Sequence, residues 1–225
     1  MYLAKNLLLM LCCLCLAGCG SGGSSATSSK TGSTSDYVAL NQTIFMGDAV
    51  TMRWPLASSA ADSIVIAEGK SSDFEVFADK CSGCNPSELQ LIAPGKKRLV
   101  LLIGEFDVLN ICGGGTENGI ESNTFSDNLD NLVGAAQNIY GLEVWIGTVP
   151  PVYTSSGAVT CVSTTTSINQ QIAAVGLADG APVVDFASVL SSPNNFTLTV
   201  EPSGLDLPNA SGYAAMTNLY DQKNQ

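Results

Sequence analysis

The sequence predicts an α/β domain over residues 36–225, a single-domain three-layer sandwich with a central parallel sheet. Two observations carry this expectation. Short apolar runs rich in β-branched residues alternate with segments of helical periodicity, as parallel strands and their crossover helices do. The runs are apolar at consecutive positions, as strands covered on both faces must be. Roughly 190 residues of one such alternation, with no internal repeat, suffice for a single core.

Taken in order, the expected strands are residues 43–46, 63–67, 98–103, 143–148 and 182–186. Between the third and fourth, residues 123–140 place Phe125, Leu129, Leu132, Val133 and Ala136 on one helical face. Residues 166–177 carry Ile168, Ile172 and Val175 at similar spacing, and residues 209–220 form a closing helix with Asn209 as its N-cap.

The chain ahead of this domain has a different character. Residues 1–18 contain one charge, Lys5, and an apolar run from Leu7 to Leu16, the layout of a secretory signal peptide too short for a permanent membrane span. The run ends in Leu16, Ala17, Gly18 and Cys19. This quartet resembles the bacterial lipobox, which implies cleavage before Cys19 and a lipid on its thiol. A membrane anchored through Cys19 is therefore the expected partner. Gly20 rather than an acidic residue follows, so the resemblance favours the outer membrane or cell surface. Residues 19–35, Gly/Ser-rich after Cys19, read as a tether with a root-mean-square reach of roughly 20 to 24 Å.

Removing residues 1–18 takes away Lys5 and no acid, so the formal net charge of -11 becomes -12. That acidity argues against nucleic acid as a partner. Of eight cysteines, four lie beyond the export segment: Cys81, Cys84, Cys112 and Cys161. An even number in an exported domain suggests disulfides, with Cys112 and Cys161 as a natural pair. Cys81 with Cys84 reads as a structural disulfide rather than a redox motif or half a zinc site, since no second CxxC and no thioredoxin-like context accompany it. Histidine is absent from all 225 residues, which removes imidazole both as a base and as a metal ligand. No cofactor and no metal site is expected.

In open parallel sheets function is read just after the strands. Here those positions hold Gly47, Asp48 and Ala49, then Gly69, Lys70, Ser71 and Ser72, then Gly104, Glu105, Phe106 and Asp107. Near the C-terminus stand Gly204, Leu207, Pro208, Asn209, Gly212 and Tyr213. Together these resemble the four blocks of the SGNH, or GDSL-type, hydrolase family, in order across residues 44–220. The resemblance implies a flavodoxin-like three-layer fold and an ester-hydrolysing ancestry.

The departures fall on the catalytic positions. Ala49 stands where the family has its nucleophilic serine, and a methyl group cannot attack a carbonyl. Ser72 replaces an oxyanion-hole glycine, and Phe106 replaces the oxyanion asparagine. Leu207 and Gly204 occupy the positions of the histidine and the aspartate. Loss of the triad leaves roughly 10³ to 10⁴-fold catalysis over water, and loss of an oxyanion donor removes about another 10² to 10³. The resemblance therefore implies an inactive homologue that binds a glycan, an acyl ester or an envelope protein.

Replacement chemistry remains open at this stage, as does a structural envelope component whose cleft is closed by Phe106 and Leu207. Asp48, Glu105 and Asp107 could form an acid–base pair, or Asp48 and Asp107 could satisfy loop amides. Lys70 beside Ser71 and Ser72 could be a serine–lysine pair. Arg53, Trp54 and Phe106 could line a ligand platform, or Trp54 could simply pack. Gly113 to Gly115 lacks the spacing and the lysine of a phosphate loop.

Overall fold

The computed structural model describes residues 37–60, 63–65, 70–71, 88–113, 124–153, 159–197 and 207–225. Among these residues seven strands are present. They are β1 (Thr43–Gly47), β2 (Ile64–Val65), β3 (Arg98–Leu102), β4 (Glu143–Gly147), β5 (Val152–Tyr153), β6 (Val159–Thr160) and β7 (Val183–Val184). The helices of the same residues are α1 (Ala49–Arg53), α2 (Pro55–Ser59), α3 (Glu88–Ile92), α4 (Glu105–Cys112), α5 (Phe125–Asn138), α6 (Val162–Ala178), α7 (Phe186–Val189) and α8 (Ala210–Lys223).

Five strands form one sheet in the order β2-β1-β3-β4-β7, parallel throughout. This is the flavodoxin-like order, whose direction of winding reverses between β1 and β3. Successive side chains leave a strand on opposite faces, so β1, β3 and β4 each feed two cores. Ile44, Met46, Leu99, Leu101, Val144 and Ile146 face a cluster built with Leu129, Leu132, Val133, Ile168 and Ile172 of α5 and α6. Phe45, Val100, Leu102, Trp145 and Val184 face the other way, onto Trp54, Phe186, Tyr213, Met216 and Tyr220. The expected three-layer sandwich is the fold observed.

The amino ends of the strands carry a polar clamp, buried at Arg98 and Asn224 and exposed at Glu143. Arg98, 1% exposed, donates from Nε and Nη2 to Glu143 Oε2, both at 2.9 Å. Its guanidinium lies 3.7 Å from the centre of a Trp145 ring and also donates to Asn224 Oδ1. Asn224 in turn accepts from the Val38 amide at 3.2 Å and donates to the Val38 carbonyl at 3.0 Å. The two ends of the domain are thereby tied together at the pole opposite the carboxyl ends of the strands.

Helix starts follow their capping chemistry. Thr124 and Asp127 make a reciprocal capping box at α5, and Asn209 accepts from the amides of Ser211 and Gly212, the expected cap. The α6 helix begins at Val162 rather than at residue 166. Its first turn, Val162 to Thr165, is rich in Ser and Thr, which compete with the helical backbone and hide the helix from periodicity. Thr165 and Thr166 donate back to the Cys161 and Val162 carbonyls. Cys161, with φ of 54°, precedes the helix and is joined by a disulfide to Cys112 at the end of α4. The antiparallel β5–β6 hairpin was not expected, because two-residue strands are too short to show alternation. Cys81 and Cys84 lie outside the described residues. No described helix is long and apolar enough to cross a membrane.

Candidate functional site at the strand ends

β1 and β3 end side by side, with Gly47 opposite Leu102, so the residues that follow them meet at the point where the winding reverses. Gly47 is required here: a Cβ would collide with Thr51 of α1 and the Leu102 carbonyl. Gly104 has φ of +117° and lets the chain turn directly into α4; a Cβ would stand 2.9 Å from Val149 Cγ2.

Asp48 is 1% exposed and caps α1, with Oδ1 accepting from the Val50 amide at 3.2 Å. The backbone of Glu105, which opens α4, also favours the charged form of Asp48. Glu105 is 3% exposed, and its Oε2 is buried with no hydrogen-bond partner among the described residues. Burial pushes Asp48 up to about 7, with Asp107 adding repulsion against the hydrogen bonds that lower it. Burial, then the charge of Asp48, pushes Glu105 well above the usual carboxylate range. The cavity lined by Asp48, Val50, Leu102, Ile103, Glu105, Val149 and Pro150 does not admit a water molecule.

Asp107, fully buried, serves the loop amides. It accepts from the Ser71 amide at 2.9 Å and the Ser71 hydroxyl at 2.8 Å, and Asn128 Nδ2 donates to the same hydroxyl at 3.0 Å. Burial outweighs these bonds and moves Asp107 up to about 6, with Lys70 pulling the other way. Ser71 is thus committed to a carboxylate rather than to Lys70 as a nucleophile pair. Asn128 was missed from the sequence, though a polar residue on the apolar face of 125–136 was a usable signal.

Of the positions that the resemblance assigns to catalysis, Ala49, Phe106 and Leu207 are described and carry apolar side chains. Ala49 (7% exposed) and Leu207 (4%) belong to the same cluster as Trp54, Phe186 and Tyr213, and Phe106 packs against it half-buried. Trp54 is corrected from ligand platform to core residue. It is fully buried, its ring meets Phe45, Phe186 and Tyr220 edge-on, and its Nε1 donates to Thr217 Oγ1 at 2.9 Å. Arg53 is exposed on α1, within electrostatic reach of Tyr213. The Tyr213 hydroxyl is buried without a hydrogen-bond partner among the described residues, and burial pushes it up, with Glu105 adding to the effect. Ser72 and Gly204 lie outside the described residues. A second cavity of about 220 Å³ opens beside Val149, Pro151, Val159, Val162 and Asn169, with Asn169 itself bonded to both backbone groups of Val149. No group of three or more His, Cys, Asp or Glu that could hold a metal occurs among the described residues.

No protein-family model and no curated protein matches the sequence. Solved structures do match. A GDSL-like lipase from Bacteroides thetaiotaomicron superposes with a TM-score of 0.58 at 17% identity, over 82% of this chain and 88% of that one. An acetylxylan esterase from Geobacillus stearothermophilus gives 0.59 at 11% identity, over 84% and 96%. An alpha/beta hydrolase from the metagenome of Lake Arreo, Spain, gives 0.57 at 12% identity, over 84% and 96%. At these identities the likeness is one of fold, and the fold is that of the GDSL-type, or SGNH, hydrolases.

Proposed function

We propose that this chain is a lipid-anchored envelope protein that uses a GDSL-hydrolase fold to hold a partner, without ester hydrolysis by the family's mechanism. What supports the absence of that mechanism is the apolar character of the described positions that the resemblance assigns to catalysis; the same packing also fits a structural envelope component with a closed cleft. Ala49, Leu207 and Phe106 share one cluster where nucleophile, base and oxyanion donor would stand. The chain has no histidine to serve as a base from any other position. The solved relatives in fold include a lipase and an acetylxylan esterase, so an acyl ester or a glycan is the ligand class, with an envelope protein as the alternative partner.

Location rests on the sequence. Cys19 behind residues 1–18 supports a lipid anchor, and residues 20–35 would let the domain reach neighbours near that membrane. Changing Cys19→Ala should release the protein from the membrane fraction; unchanged fractionation would refute the anchor.

A second reading has its own support. Asp48 and Glu105 are carboxylates with raised proton affinity at the ends of adjacent strands, where catalytic groups are often found. Against it, their cavity has no room for a hydrolytic water. Turnover of short-chain aryl esters and acetylated sugars by the purified domain separates the two: saturable turnover abolished by Asp48→Asn would establish hydrolysis with replacement groups.

A further inference from the structure

The cavity of about 220 Å³ beside the first turn of α6 shares Val149 with the closed cavity under Asp48, and none of Ala49, Phe106 or Leu207. Its apolar wall is Val149, Pro151, Val159, Val162 and Ala187, drawn from the segment after β4, from β6, and from the starts of α6 and α7. No charged side chain lines it. The polar side chains that do are engaged with the backbone. The Thr165 and Thr166 hydroxyls donate to the Cys161 and Val162 carbonyls at 3.1 Å and 2.8 Å, and Asn169 bonds both backbone groups of Val149. The wall therefore presents no charge and few free donors. An ionic ligand would lose its water shell here without replacement, whereas a compact uncharged one gains by burying apolar surface. Size agrees, because an apolar cavity of about 150 Å³ accommodates a benzene ring. This one has room for a ring with a small substituent.

The Cys112–Cys161 disulfide is built into the wall of this cavity. Cys161 is the residue between β6 and α6, with Val159 two positions before it and Val162 directly after, and both valines line the cavity. Its φ of 54° is the one left-handed value at a non-glycine position among the described residues, a conformation unfavourable for an L side chain. Its carbonyl accepts from the Thr165 amide at 2.9 Å as well as from the Thr165 hydroxyl, which seats the first turn of α6 on it. Its side chain makes no capping hydrogen bond to that turn. What its sulfur does instead is tie this corner to Cys112 at the end of α4. Val159 and Val162 are 49% and 58% exposed, so the mouth of the cavity is the part least held by packing.

We propose that this cavity binds a compact uncharged ligand built on a single ring, and that the Cys112–Cys161 disulfide holds its mouth in the binding shape. Cys112 is exposed, so a soluble dithiol can reach the bond. One thiolate of the dithiol attacks a sulfur and breaks the S–S bond, and its second thiol resolves the mixed disulfide. The products are the thiols of Cys112 and Cys161 and the oxidised reductant. Cys161 is then free to leave the left-handed region, and Val159 and Val162 on either side of it lose their fixed spacing. Binding is thereby coupled to an oxidising environment. The site stands whether or not Cys19 carries a lipid and whether or not the chain hydrolyses esters.

The experiment is a fluorine NMR titration of the purified chain with para-fluorobenzyl alcohol, an uncharged single-ring probe. The expected result is a saturable shift of the probe. Ala187→Leu, which fills the space, and Val162→Asp, which puts a charge at the exposed mouth, should each weaken binding about tenfold. Val162 is the first residue of α6, where an aspartate suits the helix start, so this variant tests the site without threatening the fold. Dithiothreitol should weaken binding by the unmodified chain, and the Cys112→Ser, Cys161→Ser variant should bind equally weakly with or without it. No saturable shift from the unmodified chain, or unchanged affinity in Ala187→Leu and Val162→Asp, would overturn the site. Equal affinity of the oxidised and reduced chains would overturn the role of the disulfide. So would a reduced chain without a cooperative thermal transition, since the bond would then be holding the whole domain rather than the mouth.

Discussion

Asp107 on α4 holds Ser71 by two hydrogen bonds, from the amide at 2.9 Å and from the hydroxyl at 2.8 Å, across 36 residues of sequence. A short acid thus serves to fasten Ser71 to the helix after β3. Because all three partners, Asp107, Ser71 and Asn128, are buried, removing the acceptor strands donors that water cannot reach.

Asp107→Ala is expected to cost about 2 to 4 kcal/mol of stability, from the lost bonds and the orphaned Ser71 groups. Asp107→Asn, which keeps one acceptor oxygen, should cost less. Urea unfolding of both variants checks this, and an unchanged midpoint for Asp107→Ala would contradict the assigned network.

Stability should fall as pH rises from about 4 to about 7. Asp48 is raised from 3.8 to about 7 and Asp107 from 3.8 to about 6, each mainly by burial. Between those values the folded state holds protons that the unfolded state has released. Stability from these groups is therefore complete below about pH 4 and is lost as pH climbs through the folded values. The slope is up to about 1.4 kcal/mol per pH unit for each group inside its window. Asp48→Asn should flatten its share, measured as the difference between urea midpoints of variant and unmodified protein across pH 4.5 to 8.

The amino-end clamp gives an asymmetric expectation. Arg98 is 1% exposed and Glu143 is 44% exposed at its side chain. Glu143→Ala would leave a buried guanidinium with Asn224 and the Trp145 ring as its remaining partners among the described residues, at a cost of about 2 to 4 kcal/mol. Glu143→Gln retains an oxygen acceptor and should recover part of that loss in thermal unfolding. Equal stability of all three proteins would show the pair to be inconsequential.

Reduction of the Cys112–Cys161 disulfide frees a span of 49 residues. On the chain-entropy account this costs about 2 to 4 kcal/mol. A Cys112→Ser, Cys161→Ser variant should match the reduced protein in denaturant midpoint and be insensitive to reductant.

The large features of this fold were legible because they rest on repeated local patterns. β1, β3 and β4 are consecutive apolar runs, and α5 shows its stripe from Phe125 to Ala136 without ambiguity. What escaped depends on tertiary context. α1 and α4 are five and eight residues long, too short for periodicity, and arise because Gly47 and Gly104 permit sharp turns out of β1 and β3. Trp54 could have been platform or packing from the sequence, and only its neighbours Phe45, Phe186 and Tyr220 decide. The apolar residues Ala49, Phe106 and Leu207, at positions that the resemblance assigns to catalysis, were readable one by one. That they join one apolar cluster was not, since they come from three distant segments.

The most direct measurement of the central claim is ester hydrolysis by the purified domain beside its Ala49→Ser variant, on short-chain aryl esters and acetylated sugars. Ala49→Ser introduces a hydroxyl at the position that the resemblance assigns to the nucleophile but no imidazole base, since the chain has no histidine. The expected result is no turnover above background from either protein. Saturable turnover by the unmodified domain, lost on changing Asp48, Asp107 or Lys70, would contradict it.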